Sequence, residues 1–226
     1  MQGQRAEIDW QTGDVPVSTR FDDPYFSLEN GLQETRHVFL DGNGLPGRFR
    51  DGFHVAELGF GTGLNFLTTV LAWCRGGYPG RLCYTSFEAY PMSEEDMAKS
   101  LGAFPELSPV AAALLDVWAK GARQHNFADG ISLTVIEGDA RETLPNWRGR
   151  ADAWYLDGFS PAKNPELWGA ELMAEVGRHT QPGGTAATYT AAGFVRRGLD
   201  QAGFDVTRKP GYGRKRHMTV ARLRTS

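Results

Sequence analysis

Phe53-His54-Val55-Ala56-Glu57-Leu58, followed by Gly59-Phe60-Gly61-Thr62-Gly63 and then by Leu64-Asn65-Phe66-Leu67-Thr68-Thr69-Val70-Leu71, is the stretch that decides the fold. The first six residues read as a short strand and the alternating glycines as a tight loop. Leu64, Leu67, Leu71 and Cys74 then recur at helical spacing. Strand, tight loop and helix form the repeating unit of an α/β sheet, in which ligands lie beyond the carboxyl ends of the strands.

Working outward, Leu82 to Glu88 reads as a second strand, and Ser93 with Asp96 three positions on reads as the start of a helix. Ile131, Leu133 and Val135 alternate as in a third strand. Ala151-Asp152-Ala153-Trp154-Tyr155-Leu156 is the apolar run of a buried parallel strand. Pro182 to Tyr189 gives a turn and a fifth strand, a helix follows around Phe194 to Ala202, and Phe204 to Arg208 with Met218 to Leu223 closes as an antiparallel pair. The start of the chain is loop-rich, and Gly42-Asn43-Gly44-Leu45-Pro46-Gly47 reads as a turn. The expectation is an α/β fold with a mostly parallel seven-stranded sheet, an antiparallel last strand and helices on both faces. With no repeat or linker, residues 1–226 read as a single domain, with 1–52 as an extension over the active-site side.

The spacing of the loop discriminates between cofactors. A dinucleotide fingerprint requires a further glycine at position 64, which is Leu64, and Glu57 opposes the charge of a pyrophosphate. A carboxylate followed by three alternating glycines suits a ligand with a positive pole, such as the sulfonium and ammonium of S-adenosylmethionine. The plainer reading is a strand-to-helix turn. Glu88 is placed to accept from ribose hydroxyls and Asp139 from an adenine amino group. Singly, each reads equally as a solvated acid, but Glu57, Glu88, Asp139 and Asp157 end four strands in a row. Asp157-Gly158-Phe159-Ser160-Pro161 resembles the D/N-P-P-Y/F signature of amino methyltransferases, with Phe159 in the aromatic position; read alone, Asp157 is a turn or cap acid.

Composition narrows the classes. With 41% hydrophobic and 23% charged residues, and no apolar run of membrane-spanning length, the chain reads as a globular protein with no membrane segment. Met1-Gln2-Gly3-Gln4-Arg5-Ala6-Glu7 lacks the order of a secretory signal, so a cytoplasmic location is expected. Cys74 and Cys83 stand apart from any Cys/His cluster and read as reduced and structural, and no metal site is expected. The net charge of -3 hides an uneven distribution: nine Lys or Arg against two acids between Arg196 and Arg224. From charge alone that end is a solvated face.

Six blocks carry a family resemblance. They are Phe21-Asp22-Asp23-Pro24-Tyr25-Phe26-Ser27, Asn30 to Arg36, Gly59 to Leu67, Leu156 to Pro165, Ala192 to Leu199 and Gly211 to Met218. Together they resemble the methyltransferase domain of the MnmC-type tRNA 5-methylaminomethyl-2-thiouridine biosynthesis proteins. The resemblance implies a class I methyltransferase, Rossmann-like, that transfers a methyl group from S-adenosylmethionine to 5-aminomethyl(-2-thio)uridine at the tRNA wobble position. It implies cofactor contacts from Glu57, Gly59, Phe60, Gly61, Thr62, Gly63, Asn65, Glu88, Asp139 and Ala140, and a catalytic role for Asp157. Substrate contacts are implied for Tyr25, Phe26, Phe159, Lys163, Arg196, Arg197, Arg214, Lys215 and Arg216, the basic ones facing tRNA phosphates. Lys163 is otherwise a solvated loop lysine. Bifunctional relatives continue into an FAD-dependent domain that frees the amine. This sequence stops at Ser226, so methylation without FAD is expected, with a separate enzyme supplying the aminomethyl group. A methyltransferase for another RNA or amine, a non-catalytic cofactor-binding module that docks RNA, and a nicotinamide oxidoreductase are the competing readings of the residues.

Overall fold

The computed structural model describes residues 4–12, 14–27 and 30–225. Met1 to Gly3, part of the amino-terminal stretch read above, and Ser226 lie outside the described residues.

Three short strands open the chain, β1 (Ile8–Gln11), β2 (Val15–Ser18) and β3 (Asp23–Pro24), joined as a small antiparallel sheet. Helix α1 (Gly31–Thr35) follows and runs on through a π-helical turn at Arg36–Leu40 and a 3-10 turn at Asp41–Asn43. The main chain of fold elements is then β4 (Phe53–Leu58), α2 (Leu64–Gly76), β5 (Leu82–Glu88), α3 (Glu94–Gly102), α4 (Ser108–Ala119), β6 (Gln124–Asn126), β7 (Ile131–Glu137) and α5 (Ala140–Thr143). It ends with β8 (Ala151–Leu156), α6 (Ala170–Arg178), β9 (Thr180–Thr188), α7 (Gly193–Gln201), β10 (Phe204–Pro210) and β11 (His217–Leu223).

The large sheet has the order β10-β11-β9-β8-β4-β5-β7-β6. β4, β5, β7, β8 and β9 pair in parallel, and β11 lies antiparallel between β9 and β10, as the closing pair in the sequence predicts. One strand goes beyond the expected seven. β6 adds a three-residue antiparallel edge to β7, too short and too polar (Gln124, His125, Asn126) to register as a strand pattern.

Successive side chains of a strand face opposite sides of the sheet, and here the alternation sorts the core into two layers. Val55, Tyr84, Leu133 and Tyr155 pack with Phe66, Leu67 and Val70 of α2 and with Leu114 and Trp118 of α4. Ala56, Leu58, Trp154 and Leu156 pack on the other side with Leu172, Met173 and Val176 of α6 and with Val195 and Leu199 of α7. Each layer removes several large side chains wholly from water, Trp73 and Tyr84 in the first and Trp154 and Phe204 in the second, at roughly 1.5–3 kcal/mol apiece.

The opening of the chain is more ordered than its loop-rich sequence suggests. Strands of two to four residues are too short to show a period. The helix start is a capping signal, the Asn30 side chain accepting from the Gln33 backbone N–H at 3.0 Å. Between residues 101 and 130, where no element is expected, α4 buries Ala111, Leu114, Val117 and Trp118 along one stripe. Neither cysteine is in a disulfide; Cys83 is half-buried on β5, whereas Cys74 is exposed in the last turn of α2 instead of filling the core. Among the described residues no helix is long and apolar enough to cross a membrane.

From β4 the chain builds outward through β5 and β7, then crosses back to β8 on the other flank of β4. The carboxyl ends of β4 and β8 therefore flank a topological switch point, where a crevice opens in sheets of this kind.

Candidate active site

At the switch point the end of β4 is laced to both neighbours, the Asp157 N–H beyond β8 donating to the Leu58 carbonyl at 3.1 Å and the Gly59 N–H to the Phe87 carbonyl of β5 at 2.9 Å. Gly59 has φ +89°, and a Cβ there would collide with the Asp157 carbonyl oxygen. Gly63, at φ +77°, precedes α2, and a Cβ there would press into Leu114 at 2.8 Å. Only glycine lets the loop turn back over the strand ends and present the start of α2 to a ligand.

A cleft of about 1470 Å³ opens over this loop. Gly59, Phe60, Gly61, Thr62 and Asn65 line it from the β4–α2 side, and Glu88, Asp139 and Ala140 from the next strand ends. Glu88 is braced by backbone amides: Gly61 N–H donates to its Oε2 at 2.9 Å and Tyr90 N–H to its Oε1 at 2.7 Å. Burial raises its pKa and these amide bonds only partly offset that; they fix the carboxyl in place and leave a lone pair to spare on each oxygen. Asp139 caps α5, accepting from Arg141 N–H at 2.9 Å, and its pairing with the Arg141 side chain holds it below the usual carboxylate range.

Glu57, read from the sequence as a contact for a ligand's positive pole, lies off the cleft surface. It is fully buried behind the loop and does not line the cleft. Burial, with the nearby Asp157 adding to it and the Asn65 hydrogen bond opposing it, pushes the Glu57 carboxyl up to about 8. Asn65 Nδ2 donates to Glu57 Oε1 at 2.8 Å and to Asp157 Oδ2 at 2.6 Å, while its Oδ1 accepts from Thr35 Oγ1 at 3.0 Å. Both amide protons are thus committed to carboxylates. Asn65 acts in this structure as the clamp of Asp157, and offers no donor to a cofactor.

Asp157 stands half-buried on the cleft floor at the end of β8. Burial pushes its carboxyl up to about 7; Asn65 and the Lys215 ammonium pull it down, and Glu34 pushes it up again. A carboxylate beside cationic ligands is expected to sit low, but before any ligand enters the desolvation of this floor outweighs the one lysine facing it. Phe159 stacks on Phe21 with ring centroids 4.7 Å apart and meets the edge of Tyr25 at 5.0 Å. Phe26 packs edge-on against Phe104 at 5.0 Å, and both Tyr25 and Phe26 line the cleft.

The basic residues divide. Lys163 is engaged within the protein, its Nζ bonded to the Asp22 carbonyl and paired with Asp22 Oδ2 at 3.0 Å, while Ser160 N–H donates to Asp23 Oδ2 at 2.8 Å. These bonds tie the amino-terminal segment to the Asp157 loop. Lys215 reaches into the cleft, 2.7 Å from Glu34 Oε1 and 4.1 Å from the centroid of the Tyr189 ring. Arg214 also lines the cleft; Arg216 and Arg197 are exposed and Arg196 is half-buried, all three away from its lining.

Glu34, Thr35, Phe21, Tyr90 and Tyr189 belong to the site without having been singled out from the sequence. For Tyr189 the signal was available, since it directly follows β9 at the same carboxyl edge as Glu88 and Asp157. Glu34 and Thr35 sit just ahead of a π-helical turn, an irregularity frequent at functional sites but one that no sequence period reveals.

Sheet order, an antiparallel strand near one edge, and a glycine loop facing a strand-end carboxylate define a Rossmann-like α/β protein built to hold a nucleoside cofactor. The family described as S-adenosyl-L-methionine-dependent methyltransferase matches residues 105–224, more than half of the 226, and the chain belongs to that family. The chain is 46% identical over 93% of its length to the tRNA 5-methylaminomethyl-2-thiouridine biosynthesis bifunctional protein MnmC of Aeromonas salmonicida. It is 47% identical over 95% of its length to the protein of that name in Pseudomonas aeruginosa. In both cases it spans 34% of the relative's length, about a third. The crystal structure of MNMC2 from Aquifex aeolicus superposes with a TM-score of 0.77 at 24% identity, covering 100% of this chain and 72% of the other, and so shares the fold.

Proposed function

We propose that the protein methylates the primary amine of 5-aminomethyl(-2-thio)uridine at the tRNA wobble position, yielding 5-methylaminomethyl(-2-thio)uridine. The observation that carries this reading is Asp157, clamped by Asn65 at the switch-point cleft with a carboxyl pushed up to about 7, beside the Phe159–Tyr25 aromatic wall. The names of the curated relatives point to the same nucleoside.

In this reading the glycine loop and Glu88 hold adenosylmethionine, Gly59 and Gly61 giving backbone room and Glu88 accepting from the ribose, with Asp139 and Ala140 at the base. The bound cofactor supplies a methyl group on a sulfonium, an electrophile that needs neither flavin nor metal. Asp157 receives the acceptor's N–H groups, and its near-neutral carboxyl takes the proton that must leave before the nitrogen lone pair is free to attack. The Gly158 carbonyl already accepts from the Tyr189 hydroxyl at 2.7 Å and keeps a second lone pair for the same amine. Phe21, Tyr25 and Phe159 exclude water from one side, and the fixed loop and strand ends align the amine, which supplies much of the acceleration in such transfers. Exposed Arg197, Arg214 and Arg216 stand at the same carboxyl edge of the sheet and suit tRNA phosphates.

The same reading takes residues 1–52 as an extension of one domain closing the active-site side. It takes the cytoplasm as the place of action and a separate enzyme as the source of the aminomethyl group. Mass spectrometry of wobble nucleosides from cells lacking the protein tests it: the aminomethyl nucleoside accumulates if the proposal holds, and an unchanged nucleoside profile contradicts it.

A further inference from the structure

Lys215 is carried on the turn between β10 and β11 and enters the cleft from outside. Its side chain keeps 45% of its exposure, while that of Glu34, its partner at 2.7 Å, keeps 11%. The anionic half of the pair is therefore fixed on α1 and largely dry, and the cationic half is a chain end reaching in from solvent. The Tyr189 ring, 4.1 Å from the same ammonium, is held by its own hydroxyl bond to Gly158 in the Asp157 loop. Asp157, Glu34, Tyr189 and Lys215 all line the one cleft.

We propose that Glu34, the face of Tyr189 and Asp157 form a subsite for a primary alkylammonium group, in which Lys215 stands until the acceptor's own ammonium takes its place. This inference rests on the methyl-transfer reading and deepens it by setting the charge class of the acceptor. A largely buried carboxylate without a cation is costly, so the Glu34 position demands a positive partner at all times. An aromatic face beside it adds cation–π attraction. The end of a lysine, a methylene bearing an ammonium, is the same chemical group as the arm of an aminomethyl nucleoside. Glu34 and the ionised form of Asp157 together offer two negative charges. A carboxymethylated arm carries a secondary ammonium together with a carboxylate, so it is net neutral and brings a further negative charge into the same space, which disfavours it; an arm without charge leaves Lys215 in place. The subsite therefore selects the free alkylamine over its carboxymethylated form.

The test is equilibrium binding of the protein, with S-adenosylhomocysteine present to prevent turnover, to one tRNA carrying 5-aminomethyluridine, 5-carboxymethylaminomethyluridine or plain uridine at the wobble position. Wild type is expected to prefer the aminomethyl form by about tenfold or more, the scale of one paired charge in a desolvated site. Glu34→Gln should bring the preference toward unity, and Lys215→Met should keep or enlarge it. A preference that survives Glu34→Gln overturns the subsite, as does one lost in Lys215→Met, which would make the lysine a partner of the acceptor and not its stand-in. Should Glu34→Gln fail to fold, the Lys215→Met result decides alone. A wild type that methylates aminomethyl tRNA but shows no charge preference overturns only this inference. A wild type that methylates no tRNA overturns the functional reading and the subsite with it.

Discussion

The two ends of the cleft are made of different materials. The end proposed for the cofactor is backbone: glycines at φ angles that L side chains avoid, and a carboxylate fixed by amide N–H groups from Gly61 and Tyr90. The end proposed for the acceptor is side chain: Asp157 gripped by Asn65, Asn65 gripped by Thr35 and Glu57, and Glu34 facing Lys215. A backbone cradle serves any substrate that shares the cofactor. A side-chain cradle holds the chemistry particular to one acceptor, and its protonation states are open to tuning by neighbours.

If that division is right, changes at the acceptor end should cut turnover and spare cofactor binding, and changes at the cofactor end should do the reverse. The largest effect is expected for Asp157→Ala, a loss of roughly two or more powers of ten in single-turnover methyl transfer, the usual scale for a proton acceptor. Calorimetric affinity for adenosylmethionine should stay near wild type. A variant that turns over normally removes Asp157 from the mechanism.

Asn65→Leu comes next. The Asn65 hydrogen bond pulls the Asp157 carboxyl down, so its loss moves that pKa up from about 7. A shift of about one unit leaves roughly tenfold less carboxylate on the acid side. The acidic limb of the pH–rate profile should move to higher pH, with turnover recovering in alkaline buffer. An equal loss at every pH would mean that Asn65 only supports the fold.

The contrast between the two ends also explains what the sequence discloses. β4, β5 and β8 follow their sequence patterns because each is one short contiguous segment that is almost wholly buried, and the glycine loop is a single five-residue stretch joining strand to helix. Everything needed to read the cofactor end lies within a few residues. The acceptor end joins Thr35 to Asn65 across 30 positions, Asn65 to Asp157 across 92 and Glu34 to Lys215 across 181. No local period records such pairings; Asp157 is legible because a strand ends there and because the five residues from Asp157 to Pro161 form a local signature. Glu57 shows the converse case. A strand-end acid reads as a ligand contact, but the parity of β4 turns it toward α2 and under the loop, where it supports Asn65. Lys163 and Lys215, which charge alone makes solvated and the resemblance makes substrate contacts, have ion-pair partners in Asp22 and Glu34, which the fold brings from the far end of the chain.

Glu88→Ala tests the cofactor end. Removing an acceptor that makes charge-assisted bonds should weaken adenosylmethionine by roughly tenfold, about 1.4 kcal/mol, with turnover at saturating cofactor nearly kept. A loss confined to turnover would blur the division between the two ends.

The smallest effect expected is on stability, at Glu57. Burial raises its folded pKa to about 8 from an ordinary 4.5, so the folded state binds the extra proton between these values and stability falls as pH rises through that window. Glu57→Gln removes the titration. Its melting temperature should exceed that of wild type at pH 8.5, and the gap should close toward pH 5. A gap that does not depend on pH would show that Glu57 is not the titrating group.

The most direct test of the whole account is transfer of labelled methyl from adenosylmethionine to a tRNA bearing 5-aminomethyluridine, followed by nucleoside mass spectrometry. The account predicts one methyl per tRNA, on the exocyclic amine, and none on the same tRNA with plain uridine at that position. Label on the unmodified tRNA, or no label on either, would contradict it.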